Sequence, residues 1–309
     1  MHTDRSFTYL IAAPGVPGAT FPQSTLGIEM TDPALAARCG LGNIDPQHGA
    51  GATATAPAAI EVCTHFPVPA PGACLATIRP DADAIGAMAL LELRASGREP
   101  DVQMYGRIAA IAASDRFDHG PWPGPWGLPT IADPAQSGEP VSTESILAAC
   151  AADRSVPLEE RVGVFMRYLA RGDVPEGYRA SVAAREARLV RSLASGATRI
   201  SRVAGGRVAV VISLEPGALR LGYRLAPVVV ALNPAAVFPS GLVGRKYTVA
   251  RWHEADADLS SFGARVAALE PGWGGQAGIK GSPQDRPSAL TVEQILRLLD
   301  MAEVSARVA

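Results

Sequence analysis

Apolar residues in this chain follow three spacings, and their order along the sequence predicts the architecture. Short unbroken apolar runs closed by turn residues, at 7–13, 58–63 and 73–78, predict buried strands. Between them, residues 32–39 predict a short helix capped by Thr31 or Asp32, and "GLGNIDPQHGAGATATAP" predicts a polar, glycine-rich loop. The segment "AIGAMALLELRA" at 84–95 is apolar all round, as a helix buried against a sheet would be. A further helix over 102–113 is ended by the proline and glycine density of "SDRFDHGPWPGPWGLP". Helical periodicity then dominates from 142 to about 195, including the long stretch "EGYRASVAAREARLVRSLASG". After "SGATRISRVAGG" the pattern turns to strands: "RVAVVIS", "LRLGYRL", "PVVVALNP" and "RKYTVARWH". A helix over 259–269, the turn "EPGWGGQAGIKGSP" and a helix over 291–303 capped by Thr291 complete the chain.

This order predicts an α/β protein. Residues 1–140 are expected to form an open, mostly parallel sheet with helices on both faces. Residues 141–200 are expected to form a helical linker, and 201–309 a smaller α/β domain. Composition supports a packed fold, since 48% hydrophobic and 19% charged residues in 309 exclude a disordered chain. A net charge of −2 gives no basic field for a long nucleic acid, so the expected partner is a small anionic molecule, with a homodimer as one assembly option. Cys39, Cys63, Cys74 and Cys150 show no C-x-x-C spacing, which argues against a zinc knuckle and for reduced thiols. The apolar run in "MHTDRSFTYLIAAPGVPG" is too short for a signal peptide or membrane span, so a soluble, cytoplasmic protein is expected.

The chemistry centres on "ATIRPDADAIGA", where Asp81 and Asp83 follow a strand and open a helix. Open α/β sheets bind their ligands at that end of a strand, and two carboxylates one residue apart repel unless a cation stands between them. Asp45, His48, Asp115, Asp118 and His119 lie in loops of the same half of the chain. With them the inventory suffices for one or two hard cations: Mn²⁺ first, Mg²⁺ or Zn²⁺ as alternatives. The opposing reading is local: the D-x-D pair caps the helix and the other residues form turns. His65 either enters the same site as a ligand or is a structural residue ahead of a proline-rich loop.

Beside that reading stands a resemblance. "TIRPDADAIGAMALL" resembles the first motif of the DHH phosphoesterases, and "AAIAASDRFDHG" is similar to their second, a single metal-bridging Asp. The tail resembles the family's accessory, DHHA1-like domain, in which a glycine-rich turn closes over the substrate. The resemblance implies metal ligation by Asp81 and Asp83, and by Asp115 with Asp118 as second choice. His119 becomes a candidate general acid or ligand, whereas Arg79 enters the pocket only in an alternative reading, a hydrolase of a non-phosphate bond in which it holds a substrate carboxylate. Gly272, Gly274, Gly275, Gln276 and Lys280 would hold an anionic substrate. The sequence departs from the family pattern at Thr77, Arg79 and Gln276, and no Asp-His-His follows residue 119. Asp45 and His48 of "NIDPQHG" would fill that role only in a permuted order of elements. The function implied is hydrolysis of a phosphoester in a small molecule or short nucleotide by a metal-activated hydroxide. Two alternatives remain open: a hydrolase acting on a non-phosphate bond of a carboxylated substrate, and a non-catalytic binding protein.

Overall fold

The computed structural model describes residues 5–12, 21–48, 56–116, 122, 141–253 and 256–300. The chain divides into two compact units, Met1–Asp115 with Val141–Val182, and Arg116–Pro140 with Ala183–Ala309. In the first, strands β1 (Thr8–Ile11), β2 (Thr25–Ile28), β3 (Asn43–Ile44) and β4 (Cys74–Thr77) form a sheet in the order β1-β4-β2-β3. All three pairings are parallel. A parallel sheet needs cover on both faces. Leu26, Ile28 and Leu75 point into the larger core, whereas Ala76 joins Met30, Leu35 and Cys39 on the other face. That two-sided burial is why β2 and β4 carry no exposed position. The pattern does not foretell β2 and β3, because four residues containing a glycine and a pair opening on Asn offer too little periodicity to read.

Helix α1 (Pro33–Ala36) starts at Asp32, whose carboxylate accepts from the Ala34 and Leu35 amides at 2.8 and 3.2 Å. The apolar run at 58–63, read from sequence as a strand, is instead the short helix α2 (Ala59–Val62). Two carboxylates favour this, one local and one distant: Glu61 within the run accepts from the Ala58 amide, and Asp83 from those of Ala59 and Ile60. Those are the amides a helix leaves unpaired at its start. Helices α3 (Ala82–Ala95) and α4 (Val102–Asp115) follow as an antiparallel pair of fourteen residues each. Helices α5 (Thr143–Ala152) and α6 (Leu158–Arg171) add Leu147, Cys150, Val162, Phe165 and Leu169 to the same core. Helix α7 (Arg179–Ala194) begins in the first unit and runs into the second.

The second unit is similar in length to the first, where the sequence suggests a smaller domain. Its sheet runs in sequence order through β5 (Arg199–Val203), β6 (Val208–Ile212), β7 (Val228–Val237), β8 (Val243–Arg251) and β9 (Ile279–Gly281). Only β6 and β7 are parallel. A parallel neighbour requires a crossover, and "LRLGYRL", expected to be a strand, supplies it as helix α8 (Leu219–Gly222). Ala218 and Leu221, three apart, are buried together with Leu189 on one face of the sheet. On the other face, α9 (Leu259–Leu269) and α10 (Val292–Leu298) bury Phe262, Val266 and Ile295 on Val208, Val210 and Val249. Thr291 caps α10 with Gln294 answering as the partner of a capping box. Among the described residues no helix is long and apolar enough to cross a membrane. The four cysteines are buried and none is in a disulfide.

Candidate metal centre

Four carboxylates converge at the carboxyl edge of the parallel sheet. Glu29 is the residue after β2, and Asp81 follows β4 across the bend Ile78-Arg79-Pro80. Asp83 lies in the first turn of α3. Because α4 equals α3 in length and runs back along it, its last residue, Asp115, returns to the level at which α3 begins. One carboxylate oxygen from each of Glu29, Asp83 and Asp115 lies within 4.8 Å of the others. Asp81 is in hydrogen-bonding contact with Glu29 and caps α3 by accepting from the Ala84 amide at 3.0 Å. The capping reading and the ligand reading of the D-x-D pair are thus compatible, since each carboxylate has a second oxygen or further lone pairs to offer.

Burial makes this cluster costly without a counter-charge. Asp83 is 1% exposed and Glu29 3%. Desolvation, reinforced by Asp81, Asp83 and Asp115, pushes the Glu29 carboxyl well above its ordinary range. Asp83 is likewise raised, by burial first and by Asp115 next. The amides of Ala59 and Ile60, at 2.7 and 2.9 Å, favour its ionised form but do not outweigh burial and the neighbouring charge. Oε2 of Glu29 is buried with no hydrogen-bond partner. An orphaned buried acceptor among three further carboxylates suits a hard divalent cation, whose preferred ligands are carboxylate oxygens. The donor set therefore fits such an ion. Glu29 also has φ 51°, a left-handed conformation uncommon outside glycine, which marks the end of β2 as a strained position.

Sequence reasoning finds Asp81, Asp83 and Asp115 but not Glu29. The available signal was an acidic residue closing the apolar run "TLGIE", the feature that singles out Asp81. Asp115 belongs to the end of α4 and not to a loop, which places it better than the sequence reading did. Asp118 and His119 lie outside the described residues. Asp45 and His48 follow β3 on the same sheet edge and pair with each other, Nδ1 to Oδ1 at 2.5 Å. They stand outside the trio of Glu29, Asp83 and Asp115. Gln47 between them is 6% exposed, with both amide atoms unpartnered. His65 is exposed in the turn ending α2, whereas the start of that helix holds Asp83. Arg79 is exposed, and its carbonyl accepts from the Asp81 amide.

The second unit keeps the glycine-rich turn together through its own backbone. Gly274 exchanges both hydrogen bonds with Gly281, and Lys280 Nζ donates to the Gly275 carbonyl at 2.7 Å. Burial, with Arg251 nearby, holds the Lys280 ammonium below the usual lysine range. Gly275 has φ 126°, and a Cβ there would lie 2.5 Å from the Ile279 carbonyl oxygen. Gln276 accepts from the Ile279 amide through its carbonyl. Trp122 donates its indole N–H to the Tyr223 carbonyl at 2.9 Å.

No family model and no curated protein matches the chain. Among solved structures it is similar to the pGpG-specific phosphodiesterase PggH from Vibrio cholerae, at 10% identity over 84% of this chain and 93% of that one, with a TM-score of 0.33. So loose a likeness carries no weight about chemistry.

Proposed function

We propose that this protein is a divalent-cation-dependent hydrolase acting on a phosphoester of a small anionic molecule or short nucleotide. The observation that carries this reading is the buried convergence of Glu29, Asp83 and Asp115, with Asp81 against Glu29, at the edge where parallel sheets bind ligands. The resemblance of "TIRPDADAIGAMALL" to the first DHH motif supports it. Glu29, Asp81, Asp83 and Asp115 hold the ion, and Mn²⁺ is the cation we propose. A divalent cation supplies the Lewis acidity that phosphoester hydrolysis draws on.

The chain's own groups set the stage for that chemistry. Asp83 is fixed from behind by two backbone amides, so its remaining lone pairs keep one direction. Asp81 is fixed by the Ala84 amide in the same way. The apolar residues Ile85 and Ile60 beside them, both fully buried, keep water from competing on that flank. The test pairs calorimetric titration of chelator-treated protein with Mn²⁺ against phosphate release or chromophore release from bis(p-nitrophenyl) phosphate, nucleoside monophosphates and a linear dinucleotide. Expected are stoichiometric binding and Mn²⁺-dependent hydrolysis of at least one phosphoester, both lost in Asp83→Ala. Binding without any hydrolysis would favour the non-catalytic alternative, and absence of binding would overturn the metal centre.

A further inference from the structure

The strained end of β2 needs something to hold it, and the structure shows what does. The side chain of Asn43, the first residue of β3, lies across the neighbouring strand and grips Met30 twice. Its Oδ1 accepts from the Met30 amide at 3.1 Å, and its Nδ2 donates to the Met30 carbonyl at 3.1 Å. An amide side chain bonded to both backbone groups of one residue behaves as a third strand in miniature, fixing that residue's position and its peptide planes. Met30 is the residue after Glu29, so the grip acts on the peptide that follows the left-handed Cα. From the other side, the Glu29 amide donates to the Ile44 carbonyl at 2.8 Å, again from β3. Glu29 is therefore held on both flanks by two consecutive residues of β3.

Gly27 makes this possible. It stands opposite Asn43 in the parallel register, and a Cβ there would lie 2.6 Å from Asn43 Oδ1. Any other residue at 27 would displace the amide that grips Met30. A glycine inside a buried strand otherwise weakens it, so the position of Gly27 is accounted for by the room it leaves to Asn43.

We infer that Asn43 is the positioning residue of the metal centre: through Met30 it holds Glu29 at φ 51° so that the buried Glu29 carboxylate faces Asp81, Asp83 and Asp115. This rests on the proposed cation site, and it adds that the ligand geometry is set from β3 by a residue that touches no ligand oxygen. Without the grip the peptide after Glu29 is free to relax to an ordinary conformation, and the carboxylate turns away. Outer partners of this kind alter metal affinity by roughly 10- to 100-fold when removed.

The experiment is calorimetric titration of the full chain with Mn²⁺, on wild type, Asn43→Ala, Glu29→Gln and the double variant, together with thermal unfolding in chelator and in Mn²⁺. Expected for Asn43→Ala is a rise in Kd of about 10-fold or more, with a matching loss of the Mn²⁺-induced shift in Tm. In the Glu29→Gln background, Asn43→Ala should add little further loss, because the path from Asn43 to the ion runs through Glu29. A residue that only supports the fold would lower Tm equally with and without Mn²⁺ and leave Kd unchanged. That result, or full additivity in the double variant, overturns the inference while leaving the metal centre intact. Wild type that binds no Mn²⁺ overturns both. Should Asn43→Ala fail to fold, Asn43→Thr carries the same test, since a β-branched side chain suits a strand and cannot grip both Met30 groups.

Discussion

At the scale of single residues, the proposed metal centre predicts opposite signs for two properties of one variant. Glu29 is a buried acid among acids, so replacing it with Gln removes repulsion as well as a proposed ligand. Glu29→Gln should raise the stability of the chelated protein, because burial and the neighbouring carboxylates disfavour the ionised glutamate, while weakening Mn²⁺ binding at least tenfold. Thermal unfolding in chelator and calorimetry in Mn²⁺ check the two halves, and a variant less stable in chelator would contradict the electrostatic account. The pH dependence follows. Glu29 and Asp83 bind protons more tightly folded than unfolded, so their contribution is fully present below the ordinary carboxylate values of 4.5 and 3.8 and is lost as pH rises through the raised ones. The Tm gap between Glu29→Gln and wild type in chelator should widen as pH rises above about 4.5 toward those raised values. With saturating Mn²⁺ the gap should reverse, since the ion competes with the protons. A gap independent of pH would show that Glu29 is not protonated in the cation-free fold. Three of the four carboxylates were legible in the sequence because acidic residues after an apolar run stand out. Glu29 was missed because β2 is four residues long and the strand it closes could not be recognised first.

Elements whose state depends on distant partners were the ones sequence periodicity misread. The run 58–63 has the composition of a strand, but its first amides are taken up by Glu61 within it and by the distant Asp83, which suits a helix start. Asp83→Ala therefore does more than remove a ligand. It strips the acceptors from the amides of Ala59 and Ile60, and loss of a cap of this kind costs about 1–2 kcal/mol. In chelator, Asp83→Ala should lower Tm whereas Glu29→Gln raises it. Unfolding curves of the two variants measured side by side decide the matter: a rise in both would mean that charge repulsion outweighs the cap at Asp83, and a fall in both would contradict the electrostatic account of Glu29. The glycine-rich turn, expected to hold an anionic substrate, also has a structural reason for a glycine. Gly275 is required by its own backbone, at φ 126° and against the Ile279 carbonyl. Gly275→Val should lower Tm by several degrees whatever it does to turnover, so a kinetic loss in that variant is not evidence of a substrate contact. Lys280→Met, which shortens no backbone contact and removes the ammonium held to the Gly275 carbonyl, is the cleaner probe of anion binding.

For the whole molecule, the decisive fact is that every proposed ligand belongs to the first unit. Glu29, Asp81, Asp83 and Asp115 all precede residue 116, where the chain passes into the second unit, and Asp115 is the last residue before that passage. The sequence boundary at 140 already places Asp81, Asp83 and Asp115 in one domain; what composition does not mark is that helices α5 and α6 belong to the same core. A ligand that binds only the folded state stabilises the part that carries its site, by RT ln(1 + [L]/Kd), or about 2.7 kcal/mol at a hundredfold excess over Kd. Mn²⁺ should accordingly slow amide hydrogen exchange in the first unit, most at the end of β2, the start of α3 and the end of α4, where the carboxylates are anchored. Protection in β6, β7 and β8, whose amides are closed by their own ladder, should change far less. Peptide-resolved exchange with and without Mn²⁺ reads both units in one measurement. Equal protection gained in both would mean that the two units open as one cooperative body. Protection gained only in the second would remove the ion from the carboxyl edge of the parallel sheet altogether.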